Sequence, residues 1–485
     1  MNYKMIGRIL SVILGVEAIL MLPALFISVF DGDAPVIGSF LLSIGLIAVV
    51  SVILFFVSRN AEMHFYAREG FVCVGLSWIA MSLLGCLPFW FSGQIPKFID
   101  ALFEMVSGFT TTGASIVPNV ESLSRGILYW RSFSHWIGGM GVLVFVLAIV
   151  PLNGRNSGFT LHLMRAESPG PSVGKLSPKL SQTAKILYII YIALTVADVL
   201  FLLAGKMPLF DALCAAFGTA GTGGFGIKAD SMTSYSPYLQ NVTTIFMFLF
   251  GVNFTIFYLI LMKKFKAVAV DEELRAYFGV FIVSTIIITS NIMRLYPTVS
   301  QAISHASFQV ASIMTTTGYA TADFNTWPVM SKTILLCLMI PGASAGSTGG
   351  GMKWSRIILL IKSGGRGLKK LLYPRHVDAV RFNGNVVDEK IVDNTNAYLA
   401  VYIIILISSF LIITIDGFSI ETNISAVISC FNNIGPGLDG VGPALNYAHY
   451  SGLSKGVMIF CMLAGRLEIF PILVLFARKT WTVRR

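Results

Sequence analysis

Long apolar runs recur along the whole chain, and most of them are long enough to cross a bilayer. A helix needs roughly 20 residues to span a hydrocarbon core of about 30 Å. The first two runs cover residues 6–30 and 39–57. The first run follows Lys4 and Arg8 as in a signal peptide, but it is too long for one and lacks a clear cleavage site. We therefore predict two N-terminal spanning helices.

After these helices one unit repeats four times: a long apolar helix, a shorter half-apolar segment that ends in glycine, a polar stretch and a second long helix. The short segments cover residues 101–113, 211–224, 303–318 and 424–435. The long helices that enclose them cover residues 71–91 and 128–152, 186–203 and 238–262, 277–293 and 327–361, and 398–415 and 453–476. This pattern predicts ten full spans and four half-spans.

The repeats define the predicted fold and its division into domains. We predict an all-α polytopic membrane protein of four fused helix–pore-helix–helix repeats with pseudo-fourfold symmetry, preceded by two N-terminal transmembrane helices. The predicted domains are the N-terminal pair at residues 1–65 and the repeats at residues 66–155, 180–268, 270–365 and 390–485.

Composition and charge agree with a membrane protein. Hydrophobic residues make up 55% of the 485 residues and charged residues only 12%, about half of what a soluble domain carries. The net charge of +11 would suit a nucleic-acid binder, but a soluble basic domain would not be this apolar. Lys and Arg instead concentrate in alternate loops, whereas the opposite loops hold few of them, among which are Lys97, Lys206, Lys228 and Arg294. The positive-inside rule therefore predicts a multi-pass protein with both termini in the cytoplasm and no nucleic-acid partner.

Residue types that build metal, disulfide or catalytic sites are scattered. The six cysteines stand singly without C-x-x-C spacing, so we predict no disulfide framework and no structural metal. Two G-x-G-x-x-G matches, at residues 221–226 and 435–440, do not follow a strand as a dinucleotide site requires. No Ser/His/Asp set or paired carboxylate cluster stands out. We predict neither an enzyme nor a bound cofactor.

The four short segments agree when each is aligned on one glycine. Residues 109–113 read Phe-Thr-Thr-Thr-Gly, and residues 314–318 read Met-Thr-Thr-Thr-Gly. The second copy reads Thr-Ala-Gly-Thr-Gly-Gly over residues 219–224, and the fourth reads Phe-Asn-Asn-Ile-Gly over residues 431–435. The glycines aligned in this way are Gly113, Gly223, Gly318 and Gly435. Because the second and fourth copies lack a threonine triplet, we do not expect fourfold symmetry in the side chains.

Segments of this kind suit a binding site for a cation. Irregular backbone cannot face lipid, because unpaired carbonyl and amide groups there cost several kcal/mol. It is tolerated where it lines water or binds an ion, and rings of backbone carbonyls can replace the hydration shell of a cation. The alternative is that the glycines allow close helix packing, as in G-x-x-x-G contacts. Four copies in register favour a ring around an ion path.

The second helix of repeat 3 is interrupted by residues 342–351, a run of ten Gly, Ala, Ser and Thr residues. These residues are poor helix material at membrane depth, so we predict a break or loop there. Small residues for tight helix packing are the alternative.

Four basic residues lie within or beside the spans. Arg466 is expected to face a cavity or a partner, because an intramembrane arginine is costly. The alternative is a pair with Glu468 or with another buried acid. Lys353 is equally compatible with the pore and with the membrane interface. Arg131 and Lys332 lie near helix ends, and we expect both to extend to the interface.

The sequence resembles the Trk/Ktr/HKT superfamily of potassium uptake proteins over essentially its whole length, and the two extra N-terminal helices resemble the Trk-type bacterial membrane subunit. The resemblance implies potassium selectivity, since sodium-preferring plant relatives have serine in the first loop where this chain has Gly113. It also implies the residues of the selectivity filter, which binds K⁺. They are Thr111, Thr112, Gly113, Gly221, Thr222, Gly223, Thr316, Thr317, Gly318, Asn433, Ile434 and Gly435.

The resemblance further implies a gate and partners. Residues 342–351 resemble the gating loop of the family, and Arg466 takes the place of a pore arginine below the filter. The implied gate residues are Gly342, Gly346, Gly349, Gly350, Gly351 and Arg466. The family implies a homodimer in the bacterial plasma (inner) membrane. It also implies that potassium is the substrate, and that any nucleotide binds only to a separate, TrkA-like cytoplasmic regulatory protein.

We therefore predict potassium-selective uptake through a channel-like pore that is gated by the loop, the arginine and the regulatory partner. A symporter that couples potassium entry to sodium or proton movement is the alternative, since such folds also carry repeats and broken helices. All four predicted repeats start on the same side of the membrane, which favours the channel-like arrangement.

Overall fold

The structure is a computed structural model that describes residues 1–60, 67–141, 180–375 and 378–481. The predicted part of the helix at residues 128–152 that follows residue 141 lies outside the described residues. So do several of the basic residues that set the predicted topology, namely Arg155, Arg165, Lys175, Lys179, Arg484 and Arg485.

The described part of the chain is almost entirely helical, as predicted. Its one sheet is a two-stranded antiparallel hairpin of β1 (Arg381–Phe382) and β2 (Asn385–Val386). The first half contains α1 (Tyr3–Leu20), α2 (Leu22–Asp31), α3 (Ala34–Val57), α4 (Ala67–Gly85), α5 (Leu87–Phe91), α6 (Phe98–Phe109), α7 (Arg125–Gly139), α8 (Leu180–Ala204), α9 (Leu209–Gly221), α10 (Pro237–Phe250) and α11 (Phe254–Leu261). The second half contains α12 (Phe265–Val270), α13 (Glu272–Ile292), α14 (Val299–Met314), α15 (Val329–Leu338), α16 (Trp354–Leu372), α17 (Glu389–Ile413), α18 (Ile420–Phe431), α19 (Gly452–Arg466), α20 (Phe470–Phe476) and α21 (Arg478–Trp481).

Six helical segments of the described chain are long and apolar enough to cross a membrane. They are Tyr3–Asp31, Ala34–Val57, Arg68–Phe91, Lys185–Ala204, Glu272–Ile292 and Glu389–Asp416. This set contains both N-terminal helices and the first long helix of every repeat, which confirms that part of the prediction. Two of the segments break just before Pro23 and Pro88, because proline fits only the first turn of a helix.

The second long helix of the repeats differs from the prediction of continuous spans. In repeat 2, α10 and α11 are separated by residues 251–253 and meet at 90°, and the side chain of Asn253 caps the new helix. In repeat 4, residues 467–469 separate α19 from α20, which has Pro471 in its first turn. In repeat 3, where we predicted a break, residues 339–353 separate α15 from α16. Helix-ending caps and prolines therefore outweigh apolar continuity.

The spanning helices surround four short helices. The outer faces of α3, α8 and α13 are apolar and exposed, as expected of helices that contact lipid. The short helices α6, α9, α14 and α18 are the four predicted half-spans, and their C-terminal halves are buried. Helix α9 packs on α7, α14 packs on α10, and α6 packs on α19 of repeat 4. Repeats 4 and 1 are thus in contact, which closes the repeats into a ring.

Candidate functional site

The four short helices end in the same backbone turn. In each turn, one residue other than glycine has a left-handed conformation with φ between 55° and 59°. These residues are Thr111, Thr222, Thr316 and Asn433. The next N–H bonds to the carbonyl five residues back, as from Thr112 to Ser107 at 2.9 Å and from Gly223 to Gly218 at 2.8 Å. This is the Schellman motif, which ends a helix with its last carbonyls satisfied.

Each turn is followed by a glycine that also has positive φ. The four glycines are Gly113 at 76°, Gly224 at 69°, Gly318 at 87° and Gly435 at 106°. A left-handed residue, one ordinary residue and a positive-φ glycine therefore recur in all four repeats. The backbone is fourfold although the side chains are not.

Repeat 2 lies one residue out of the register that we predicted. We aligned Gly223 with Gly113, but Gly224 has the matching backbone conformation, and Gly223 takes the place of Thr112. Gly221, which the resemblance placed in the site, is the last residue of α9 and lies against the backbone of His135. Two adjacent glycines follow Thr222, and the sequence pattern does not tell which of them has positive φ.

Four glycines and four carbonyl groups form a closed arrangement that we call the glycine ring. A Cβ atom added to each ring glycine would come within 3.0 Å of a carbonyl oxygen of the next repeat. The pairs are Gly113 with Gly223, Gly224 with Thr317, Gly318 with Ile434, and Gly435 with Thr112. Real Cβ atoms essentially never come this close to another atom, so only glycine fits without a shift of the backbone. The glycine ring consists of these glycines and the carbonyl groups of their partners.

A cavity of about 120 Å³ lies on one side of the ring, next to the residues that follow the ring glycines in the chain. All four ring glycines line it, together with residues such as Arg131, Phe225 and Tyr447. A water molecule in the liquid occupies about 30 Å³, so the cavity has room for a few waters beside the ring.

The ring segments are supported from behind by different side chains in different repeats. In repeat 4 the hydroxyl of Tyr447 donates to the carbonyl oxygen of Gly435 at 2.7 Å. In repeat 2 the N–H of Phe225 donates to Nε2 of His135 at 3.2 Å. Because Nε2 accepts, Nδ1 carries the proton and donates to the carbonyl of Gly108 at 2.7 Å. His135 is therefore a neutral imidazole that connects repeats 1 and 2.

Arg131 does not extend to the membrane interface, contrary to our prediction. Its side chain is buried, with Nε 2.5 Å from Oε1 of Glu104 and Nη1 donating to the carbonyl of Gly226 at 2.8 Å. A buried acid on the neighbouring helix removes the need to reach water. Lys332 is partly exposed and pairs with Glu421 at 3.1 Å.

The glycine-rich run of repeat 3 is a loop that contacts the turns preceding the ring glycines. The N–H of Gly350 donates to Oγ1 of Thr316 at 2.6 Å. Gly349 packs against the carbonyl of Thr315, and a Cβ atom on Gly350 would strike the carbonyl of Asn432. The loop therefore touches repeats 3 and 4 at the base of the ring.

The same loop is closed on itself and anchored at its middle and at its exit. Gly342 and Gly351 have positive φ and their backbones are in contact, and Gly346 also has positive φ. One carboxylate oxygen of Glu273 accepts the N–H of Ala345 at 2.7 Å and that of Ser355 at 3.0 Å. A single acid on α13 thus holds the middle of the loop and its exit.

Arg466 ends α19 and joins three repeats. Its guanidinium donates to the carbonyl of Thr348 in the loop at 2.7 Å, and to the carbonyls of Gly138 and Gly139 in repeat 1 at 2.6 Å each. Glu468, the alternative local partner, pairs with Arg356. Lys353 is buried, and its Nζ contacts the carbonyl of Gly349 within the loop.

Three buried residues that contact the site were not singled out from the sequence. Glu104, His135 and Glu273 each accept backbone N–H groups next to the ring or the loop. An acid inside a half-apolar segment and a histidine inside an apolar helix are costly at membrane depth, and that cost was the signal available. Neither the two acids nor the histidine belongs to a short sequence motif that would have pointed to them.

Comparisons with known proteins agree on one family. A family profile described as "TrkH: Cation transport protein" matches residues 39–482. The "Trk system potassium uptake protein TrkH" of Salmonella typhimurium is 37% identical over 88% of this chain and 89% of its own length. The protein of the same name from Vibrio parahaemolyticus is 34% identical over 99% of this chain and 100% of its own length.

A solved structure agrees as well. The "Crystal Structure of the Potassium Transporter TrkH from Vibrio parahaemolyticus" matches with a TM-score of 0.87 and 30% identity, covering 99% of this chain and 100% of that one. These relatives are named as transporters and not as enzymes.

Proposed function

The chain belongs to the TrkH family of cation transport proteins, and from that premise we propose that it mediates potassium uptake across the bacterial inner membrane. Potassium is the substrate named for its relatives, and the likeness extends over nearly the full length of both chains. The proposed path runs through the glycine ring, which acts as the selectivity filter.

The closed ring of backbone carbonyls is the observation that carries this proposal. Four identical turns bring the carbonyl groups of Thr112, Gly223, Thr317 and Ile434 against the ring glycines. Carbonyl oxygens supplied by rigid backbone can replace the water around a potassium ion. We therefore move the predicted filter in repeat 2 to Thr222, Gly223 and Gly224, and keep the predicted residues of the other three repeats.

The loop of residues 342–351 and Arg466 form the proposed gate. The loop lies against the turns that precede the ring glycines, and Arg466 connects it with repeat 1. A guanidinium beside the path of a cation raises an electrostatic barrier. Opening requires the loop to leave Thr316 and Arg466, and we propose that a separate, TrkA-like nucleotide-binding protein drives this step.

Two further proposals concern assembly and orientation. The protein functions as a homodimer, and both termini lie in the cytoplasm. The polar end of α16 supports a cytoplasmic placement of that region, because Arg366 and Lys369 lie there beside Glu389 and Asp378.

Coupled symport is the second candidate, and one observation favours it. Glu17 and Asp198 are buried in spanning helices, and their carboxylates have no hydrogen-bond partner among the described residues. Buried acids of this type form the proton relays of transporters.

Tracer uptake into proteoliposomes with potassium as the only permeant cation tests the proposal. We expect uptake that follows the potassium gradient without a sodium or proton gradient. Strict dependence on either gradient would establish symport, and uptake of sodium in preference to potassium would refute the proposed selectivity. Shortening of residues 342–351 should raise basal uptake without changing ion preference, and unchanged uptake at normal membrane amounts would argue against a gate in this loop.

A further inference from the structure

A buried ion pair behind the glycine ring connects the chain segments that leave the ring in repeats 1 and 2. Oε2 of Glu104 accepts the N–H of Ile116 at 2.9 Å, and Oε1 accepts the hydroxyl of Ser115 at 2.9 Å and Nε of Arg131 at 2.5 Å. Ser115 and Ile116 follow Gly113 by two and three residues. Glu104 therefore holds the exit from the ring in repeat 1.

Arg131 continues the connection into repeat 2. Its Nη1 donates to the carbonyl of Gly226 at 2.8 Å, and its guanidinium lies 3.6 Å from the ring centroid of Phe225. Phe225 and Gly226 directly follow the ring glycine Gly224. One planar guanidinium thus contacts the repeat 2 segment directly and the repeat 1 segment through Glu104, which a lysine ammonium could not do with the same geometry.

The burial of this pair argues for a role other than general stability. Its side chains are 3% and 0% exposed, and burying two charges costs about as much free energy as their attraction returns. The positions equivalent to Glu104, nine residues before the other ring glycines, hold Ala215, Gln309 and Ala426. Repeats 2, 3 and 4 form the same turn without an acid there, so the turn itself does not require the charge.

We propose that Glu104 and Arg131 are positioning residues that fix the ring segments of repeats 1 and 2, and so determine how well the ring discriminates potassium from sodium. This inference rests on the proposed function. In the snug-fit explanation of selectivity, a carbonyl ring rejects the smaller ion because it resists closing around that ion. The ion pair supplies this resistance, because it joins the two segments through charge-assisted hydrogen bonds.

A purely electrostatic role for the ion pair and a positioning role predict different effects of substitutions on the rate of uptake and on the K⁺/Na⁺ permeability ratio. Arg131 lines the cavity beside the ring, so loss of Glu104 leaves an unneutralised cation next to the proposed ion path. Glu104→Gln is therefore expected to lower both the rate of uptake and the K⁺/Na⁺ permeability ratio. The double variant Glu104→Gln with Arg131→Gln removes the charge imbalance without restoring the hydrogen bonds that Arg131 makes to Glu104 and to the carbonyl of Gly226. It should recover the rate and not the ratio.

The test is bi-ionic reversal-potential measurement on purified full-length protein in planar bilayers, with tracer uptake for the rate. We expect Arg131→Lys, which keeps the charge, to retain most of the rate and to lower the K⁺/Na⁺ ratio about tenfold, as the loss of one charge-assisted hydrogen bond would. An unchanged ratio in both Arg131→Lys and Glu104→Gln would overturn the proposal. Recovery of the ratio in the double variant would also overturn it, in favour of a purely electrostatic role.

A matched control and a readout without transport keep the outcomes distinct. Lys332→Gln removes an ion pair between another second helix and another short helix, away from the cavity, and should change neither quantity. Potassium should also raise the thermal unfolding midpoint of the detergent-solubilised protein more than sodium does, and Arg131→Lys should reduce that difference. If the natural protein shows a potassium-specific shift that Arg131→Lys leaves intact, the inference fails. If the natural protein shows neither that shift nor potassium-selective uptake, the proposed function fails.

Discussion

The glycine ring and the interrupted helices that follow it belong to the same four repeats, yet they differ in symmetry. At the ring, all four repeats share a left-handed residue and a positive-φ glycine in one turn. In the second helices, the described interruptions are three residues long in repeats 2 and 4 and fifteen residues long in repeat 3. The four repeats thus share their backbone geometry where an ion would be coordinated, and their backbones diverge where repeat 3 supplies a loop. We assign selection to the symmetric region and gating to the asymmetric one.

The largest effect is expected from substitutions that disrupt the glycine ring, which is the symmetric region. Gly224→Ala places a Cβ atom against the carbonyl of Thr317 and a non-glycine residue in a left-handed conformation, which alone costs about 1–2 kcal/mol. The K⁺/Na⁺ permeability ratio should fall by at least about tenfold in reversal-potential measurements, and Gly113→Ser should act in the same way. Gly417→Ala is the matched control, because this glycine also has positive φ but no atom of the described residues lies within 4 Å of an added Cβ. If Gly224→Ala leaves the K⁺/Na⁺ permeability ratio unchanged, the register predicted from the sequence, with Gly223 at the ring, would be the correct one.

The second effect concerns the asymmetric region. Arg466→Ala removes the hydrogen bonds to Thr348, Gly138 and Gly139, and each charge-assisted bond is worth about 1.5–3 kcal/mol. Basal potassium uptake should rise by about tenfold or more while the K⁺/Na⁺ ratio stays unchanged. Arg466→Lys, which keeps the charge with less reach, should give an intermediate rise. A fall in the ratio without a rise in uptake would place Arg466 in selection and not in gating.

The contact between the two regions gives a smaller effect. Thr316→Val removes the hydroxyl that accepts the N–H of Gly350, at a cost of about 1 kcal/mol, and keeps the β-branched shape. Basal uptake should rise roughly fivefold. Thr111→Val is the matched control in repeat 1, since the hydroxyl of Thr111 has no hydrogen-bond partner among the described residues. Equal effects of the two substitutions would show that the loop is not held by Thr316.

The smallest effect is expected from a substitution at the helix break of repeat 2. It tests whether this break only shapes the fold or also takes part in gating. Asn253 caps α11 by accepting the N–H of Thr255 at 2.9 Å, and loss of such a cap typically costs about 1 kcal/mol. Asn253→Ala should lower the thermal unfolding midpoint by a few degrees and leave basal uptake unchanged, whereas Asn253→Asp should preserve both. A rise in uptake comparable to that of Arg466→Ala would mean that the break in repeat 2 also gates.

The sequence predicted the parts of the molecule that depend on local pattern. Apolar runs located the first long helix of every repeat and the four short helices, and the ten small residues at 342–351 located the loop. The breaks in repeats 2 and 4 were missed, because apolar runs lie on both sides of each break and the helix cap Asn253 and the proline Pro471 were not weighed against them.

The errors at the site have a different cause, since they depend on contacts between residues that are far apart along the chain. Register in repeat 2 is decided by which of two adjacent glycines packs on the carbonyl of Thr317. The position of Arg131 is decided by Glu104, an acid 27 residues away on another helix. Neither contact can be predicted from the pattern of residues along the chain.

Anomalous diffraction from crystals of this protein soaked in rubidium would show whether the glycine ring binds the ion, because rubidium stands in for potassium and scatters strongly. We expect a peak enclosed by the carbonyl oxygens of Thr112, Gly223, Thr317 and Ile434, and loss of that peak in Gly224→Ala. A natural protein with no peak at the ring, or with its peaks only at other positions, would contradict the assignment of the glycine ring as the site of ion selection.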